Sequence, residues 1–315
     1  MIRYICGRLL RALISMFIVL SVVFCLMRLM PVEGYFGSRS DAMNDKVKQQ
    51  VLQQLGLLDP LPVQLAHFWR DIFHGDLGKS IVYRVGQSNA AIIASKAPYS
   101  LWFGLAALIM QKLIGLPLGV IMARWKGKFF DKIGNIYILL INAVPEAVYF
   151  LLIQLYISEA FHWPMLYKAG KPNSYILPVV CLALGGIAAD ALWMRRYMVD
   201  EMNKDYIRLA QAKGMTASSV AFKHVLRNAF IPMAQSLPYA IIFTISGSLY
   251  IESLFSIPGM GGLLVTAIQR QDNTLVQAMV LLYSAMSVGG LLLGDLLMML
   301  CDPRIRLTNK KEARA

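Results

Sequence analysis

The chain alternates long apolar runs with shorter polar, mostly basic intervals, and the runs decide the class of fold. Between Leu9 and Met30 lies an uncharged core, Ala12 to Met27, with Arg11 and Arg28 at its ends. Snorkelling arginines carry such a core to the headgroups on both sides, so the run is long enough to cross a bilayer as a helix. Five more runs, at roughly 99–123, 133–158, 175–194, 230–252 and 275–299, have the same character. The pattern predicts an all-α, polytopic membrane protein with six transmembrane helices. A cleaved signal peptide is the rival reading of the first run. It is disfavoured because no small-x-small site stands near Met30 and the run ends Arg-Leu-Met-Pro.

Two polar stretches stand out against these runs. Residues 31–98 are too long for a tight connection and carry apolar residues at helical spacing. Asp41 can cap a helix with Met43, Val47, Val51 and Leu55 on one face, closed by Gly56. Asp59-Pro60 can open a second, with Leu61, Leu65, Phe68, Trp69 and Ile72 inward and Gly75 at its end. A small helical insertion is expected. The other stretch, Asp200 to Pro232, is strongly basic. Met202, Tyr206, Leu209 and Ala210 recur at helical spacing, and small residues cluster at Ala210, Ala212 and Gly214. Gly214 can close that helix with a positive φ, and Ser218 and Ser219 are candidate caps for the next, which runs toward Pro232. A face of small side chains lets another surface approach the backbone; an ordinary solvated connection is the other reading.

Composition agrees with a membrane protein: of 315 residues, 57% are hydrophobic and 16% charged. The formal charge of +13 does not point to nucleic acid, because the cations fall in short clusters beside the apolar runs, where they set orientation in a bilayer. Arg124, Lys126, Lys128 and Lys132 lie between the second and third runs, and Arg304, Arg306, Lys310, Lys311 and Arg314 in the tail. The two short loops on the opposite side hold Lys168, Lys171 and Arg270. Both termini and the 200–231 loop are therefore expected in the cytoplasm and the insertion outside. The chain divides into residues 1–30, the insertion 31–98, the membrane-spanning core 99–302 with the 200–231 loop, and a tail 303–315. Cys6, Cys25, Cys181 and Cys301 are scattered and read as packing residues.

No GxxxxGK[ST] phosphate loop, HExxH or GxSxG is present, and His67, His74, His162 and His224 lie far apart, so neither an ATPase nor a metal or catalytic centre is expected. Charges inside apolar runs say more, since each is costly in lipid. Lys112 and Glu146 fall near the middle of adjacent, antiparallel runs and are expected at similar depth, where they can pair near the midplane, along a water-filled route or as a structural ion pair, unless either meets another subunit instead. Asp190 and Asp295 are expected nearer the inner face, beside Arg195, Arg196 or another basic residue, in a structural role.

The stretch DYIRLAQAKGM followed by HVLRNAFIP resembles the cytoplasmic coupling loop of bacterial ABC-importer permeases, in particular the first permease subunit of the dipeptide, oligopeptide and nickel family. LGLLDPLPVQ with GDLGKS (Leu55 to Gln64, Gly75 to Ser80) is similar to that subunit's outer insertion, ESLFSIPGMGGLL (Glu252 to Leu264) to the loop after its fifth span, and DPRIRL (Asp302 to Leu307) to its ending. Four motifs in order cover essentially the whole chain. The family's coupling motif usually carries Glu-Ala-Ala before its glycine; here Arg208, Leu209 and Ala210 stand there, which argues against a role for an acidic residue at that point.

The resemblance implies a type I ABC importer permease fold. It implies two cytoplasmic ATPases that hydrolyse ATP with Mg, a second homologous permease, a substrate-binding protein outside and a short peptide as cargo, with no cofactor on this chain. Coupling to the ATPases would fall to Asp205, Tyr206, Ala210, Ala212, Lys213, Gly214, His224, Arg227 and Asn228, and binding-protein contact to the outer insertion and to the loop holding Phe255, Pro258, Gly259 and Gly261. Similar permeases carry nickel chelates, opines and some sugars. A secondary transporter and a peptide receptor are the rivals from other classes; uptake without any ATPase would favour the first, and binding without uptake the second.

Overall fold

The computed structural model describes residues 2–29, 35–36, 44–54, 56–244 and 247–301. Asp41, Met43, Leu55 and the 302–307 ending lie outside them. Within the described residues the chain is helical, with no strand. In order, the helices are α1 (Ile2–Arg28), α2 (Asp45–Gln54), α3 (Leu61–Phe73), α4 (Asn89–Arg124), α5 (Phe129–Ala143), α6 (Glu146–Leu152) and α7 (Ser158–Phe161). They continue with α8 (Asn173–Met202), α9 (Asp205–Ala212), α10 (Ala217–Val220), α11 (Leu226–Phe243), α12 (Leu249–Leu254), α13 (Met260–Gln269) and α14 (Asn273–Cys301). Single π-helical turns, Ile153–Ile157 and Ala221–Val225, join α6 to α7 and α10 to α11.

Four of these helices are long and apolar enough to cross a membrane: Leu9–Arg28 within α1, α4, α8, and Asn273–Gly294 within α14. The expected third span departs from a single helix. It bends by 105° between α5 and the α6–α7 helix, and counts as a fifth crossing if the bent pair is one span. The break falls at Val144-Pro145, where proline cannot donate the next helical hydrogen bond. The expected fifth span is also divided: α11 ends at Phe243, and the chain passes through Gly247, at a φ of 72°, into the short α12. The second starts early, because α4 opens at Asn89 and carries Pro98 inside it.

Helix α8 is the axis of the bundle, burying Cys181, Ala183, Ile187, Ala188, Ala191 and Met194. Helix α4 lies against it along glycines: a Cβ on Gly115 would stand 2.8 Å from that of Asp190, and one on Gly119 would stand 2.7 Å from the Ala191 carbonyl oxygen. In lipid, where burying apolar surface between helices gains little, such close backbone approach is what holds helices together. Helices α11 and α14 pack on each other, and α1 lies along α14.

Two helices form in the insertion where the periodicity puts them, but Leu61, expected inward, is exposed. Pro60 opens α3, and Gly56 and Gly75 follow α2 and α3 at φ values of 65° and 73°. Phe68 stacks on Phe24 at 4.5 Å, Phe17 on Trp69 at 4.6 Å, and Trp69 Nε1 donates to Ser21 Oγ at 3.0 Å, so α3 is seated on α1. The GDLGKS segment ends in a latch. The carboxylate of Asp272, just before α14, accepts from Ser80 Oγ at 2.5 Å and from the N–H groups of Val82 and Tyr83 at 3.0 and 2.9 Å.

Candidate coupling site

The basic stretch between α8 and α11 forms one compact unit. Its first helix, α9, is anchored by Ile207, 1% exposed, which packs with Met198, Val220, Val225 and Ala229. The face expected from spacing is therefore rotated. Ala210 and Met202 touch this core, but Tyr206 and Leu209 are exposed. Helix α9 ends in a Schellman arrangement: Gly214 N–H donates to Gln211 O at 2.9 Å and Met215 N–H to Ala210 O at 3.3 Å, with Gly214 at a φ of 83°. The next helix is capped by Thr216 and not by the serines. Thr216 Oγ1 accepts the Ser219 N–H at 3.3 Å, which makes Ser219 the donor at N3 and Thr216 the residue in extended conformation ahead of it.

A buried carboxylate that spacing did not single out ties the unit together. Glu201, 8% exposed in the last turn of α8, accepts hydrogen bonds from the Tyr206 hydroxyl, from Asn228 Nδ2 at 3.1 Å and from Lys204 Nζ at 2.7 Å. Asn228 Nδ2 also donates to the Tyr206 hydroxyl at 2.8 Å. Three helices thus meet at one group: α8 through Glu201, α9 through Tyr206 and α11 through Asn228. Its signal in sequence is the run Glu201, Lys204, Tyr206, an acid followed at once by two donors.

Of the residues expected to couple, Tyr206 and Asn228 belong to this cluster and Ala210 to the core beneath it. Asp205, Ala212, Lys213, Gly214 and Arg227 face outward, and His224 is half-buried. A Cβ placed on Gly214 would meet nothing within 4 Å. Asp205 reaches Arg208 at 3.6 Å, an exposed pair that contributes little. The end of α9 is accordingly a firm, small-residue, positively charged knob.

The midplane pairing takes another partner. Lys112 Nζ lies 2.9 Å from the carboxylate of Asp190 on α8, and Gln111 Nε2 donates to the same carboxylate at 3.0 Å. Glu146 is exposed and makes no ion pair among the described residues. It stands in the first turn of α6, beyond the Pro145 break, where an acid favours the helix dipole. Arg195 forks onto Asp131 at 2.6 and 2.8 Å, leaving Asp190 to Lys112. The Asp295 side chain lies outside the described residues.

The loop before α13 turns inward. Phe255, Gly259 and Gly261 are buried and Pro258 half-buried, so the first three do not present a surface to a binding protein. The cause is Glu252, 3% exposed, which accepts from Ser100 Oγ at 2.6 Å and from the N–H groups of Gly261 and Gly262 at 2.7 and 3.1 Å. A side chain at Gly259 would overlap this carboxylate. No group of His, Cys, Asp and Glu among the described residues could hold a metal ion.

Comparison with known proteins decides the family. Residues 115–307 match the family described as binding-protein-dependent transport system inner membrane component, and residues 1–93 match its N-terminal companion family. The chain belongs to this family of transport permeases. The family has the type I ABC importer permease fold and carries no ATPase site, the ATPase being a separate subunit. Among the proteins this chain is similar to, the glutathione transport system permease protein GsiC of Escherichia coli is 33% identical over 310 residues, covering 97% of this chain and 99% of GsiC. The oligopeptide transport system permease protein AmiC of Streptococcus pneumoniae is 34% identical over 239 residues, covering 74% of this chain and 47% of AmiC. The chain thus aligns with about half the length of AmiC.

Proposed function

We propose that this permease is one half of the translocation pathway of an ATP-driven importer of short peptides, and that α9 with Gly214 is where an ATPase subunit pushes on it. The observation that carries the reading is the exposed end of α9, a small-residue surface at Ala212 and Gly214 held rigidly by the Glu201, Tyr206 and Asn228 cluster. Movement of the two ATPases on binding and hydrolysing ATP displaces α9. Glu201 passes the displacement to α8, and the continuous helical stretch 217–243 passes it to α11. Lys112 and Asp190 then carry it from α8 to α4.

In this reading the chain crosses the membrane six times with both ends in the cytoplasm, pairs with a second homologous permease and receives its cargo from a binding protein outside. The outer docking surface is the insertion, where a cavity of about 780 Å³ opens between α3, the 76–86 segment and α14. The peptide cargo is supported by the names of AmiC and GsiC.

The test is uptake of labelled short peptides together with ATPase co-purification. Ala212 is exposed and helical, so Ala212→Trp leaves the fold intact and is expected to abolish both uptake and ATPase association. Wild-type association and uptake in that variant would overturn the coupling role. Ion-gradient-driven uptake in vesicles without any ATPase would overturn the ABC reading itself.

A further inference from the structure

The loop joining α4 to α5 carries a surface that coupling leaves unused. Arg124, Lys126, Lys128 and Lys132 are exposed, and among the described residues none of them is in an ion pair. The acid within the segment, Asp131, is engaged inward. It is 3% exposed, forked by Arg195, and accepts the Gly127 N–H at 2.8 Å and Asn135 Nδ2 at 2.9 Å. That cage fixes the turn at Gly127 and leaves the four cations uncompensated.

Beside them runs a row of rings. The Arg124 guanidinium stands 5.2 Å from the Trp125 ring, Trp125 lies 5.5 Å from Phe130, and Phe130 lies 5.7 Å from Phe129. Phe129 and Phe130 are 69% and 52% exposed. Two adjacent phenylalanines left in water are unfavourable, and so is a cluster of unpaired like charges. The headgroup zone of an anionic bilayer relieves both, because rings settle at the acyl boundary while ammonium and guanidinium groups meet phosphate.

We propose that residues 124–132 bind anionic phospholipid of the cytoplasmic leaflet, with Phe129 and Phe130 inserted at the acyl boundary and Arg124, Lys126, Lys128 and Lys132 on the phosphates. The leaflet rests on the topology proposed above. A general excess of cations on the inner side explains the charges but neither the caged turn nor the exposed ring pair. An acidic protein surface would match the charge, but the rings emerge where α4, a helix long and apolar enough to cross a membrane, ends and α5 begins.

The test uses the purified full chain in nanodiscs of phosphatidylcholine with a minority of phosphatidylglycerol, counting the lipids that stay bound in native mass spectrometry. The wild type is expected to retain phosphatidylglycerol in preference to phosphatidylcholine. Each Lys or Arg changed to Gln is expected to lower that preference by up to about fivefold. Phe129→Ser with Phe130→Ser is expected to lower it with the charge intact. Equal retention by the wild type and the fourfold Gln variant would overturn the proposal, as would retained lipid that inorganic phosphate strips off. Co-purification of ATPase subunits with the fourfold Gln variant is a separate readout: lost association with unchanged lipid would assign the surface to protein instead. Both leaflets of the nanodisc are alike, so this readout is independent of orientation. Side-specific labelling of a cysteine in Lys126→Cys tests the topology separately.

Discussion

Lys112 on α4 and Asp190 on α8 form an ion pair of 2.9 Å inside the bundle, their side chains 17% and 8% exposed. Both charges sit in candidate membrane-crossing helices, so the loss of one strands the other. Asp190→Asn is expected to destabilise the protein by about 3–5 kcal/mol, the usual result of leaving one member of a buried pair unpaired. Lys112→Met with Asp190→Leu is expected to recover most of that loss, since it removes both charges and keeps volume. Thermal unfolding in detergent reads the difference; a single and a double variant with equal midpoints would show that the pair carries no such load.

Glu201 is the second charged hub, and its neighbours differ in weight. Glu201→Ala removes the acceptor for the Tyr206 hydroxyl and Asn228 Nδ2, and is expected to loosen α9 by about 1.5–3 kcal/mol. Lys204→Ala should cost less than about 1 kcal/mol, because the lysine side chain is 56% exposed and its ion pair is screened. Hydrogen exchange across 205–212 separates the two: fast exchange in Glu201→Ala and near wild-type protection in Lys204→Ala. Similar exchange in both would deny Glu201 its place as the junction.

Four of the expected spans, the two insertion helices and the turn at Gly214 were legible because each leaves a local mark: an apolar run, a helical period, a glycine after the last periodic residue. The breaks at Pro145 and Gly247 were not, since a run of apolar residues looks alike whether its helix is straight or divided. The partner of Lys112 was misassigned because depth was inferred from chain order, whereas α4 packs on α8 through Gly115 and Gly119. The spacing of those two glycines, four apart on one face, was the available clue. Phe255, Gly259 and Gly261 were expected at the surface because nothing local announces that Glu252 draws the loop inward. Ile207 was missed because Tyr206 and Leu209 offered an equally periodic face of larger residues.

The α4 to α8 contact makes a contrast between two helical glycines. A Cβ on Gly119 would fall 2.7 Å from both the Ala191 carbonyl oxygen and Met194 Cβ, and the oxygen is backbone, so the helices must part. Gly119→Ala is expected to lower stability by about 1–3 kcal/mol through overpacking. A Cβ on Gly289 in α14 meets nothing within 4 Å. Gly289→Ala should therefore raise stability by up to about 1 kcal/mol through helix propensity. Unfolding midpoints that move in the same direction for the two would contradict the close contact.

Asp272 gives the structure a pH dependence that can be read as a difference. Its carboxylate is fully buried and lies outside the membrane-crossing helices. Burial pushes its pKa up, but the donors from Ser80, Tyr83, Val82 and Leu275 together outweigh burial and hold it below the ordinary 3.8. The ionised form is thus the one that latches the 80–83 segment to α14. Since the folded pKa is the lower one, the latch contributes fully above 3.8 and is lost as pH falls through the folded value. Asp272→Asn keeps one acceptor oxygen but loses the charge and is expected to cost about 1–3 kcal/mol at neutral pH. The gap in unfolding midpoint between wild type and Asp272→Asn should stay constant from neutral to mildly acidic pH and close only below 3.8. A gap that widens in acid would mean that Asp272 is held protonated, and that the latch is made by a neutral acid.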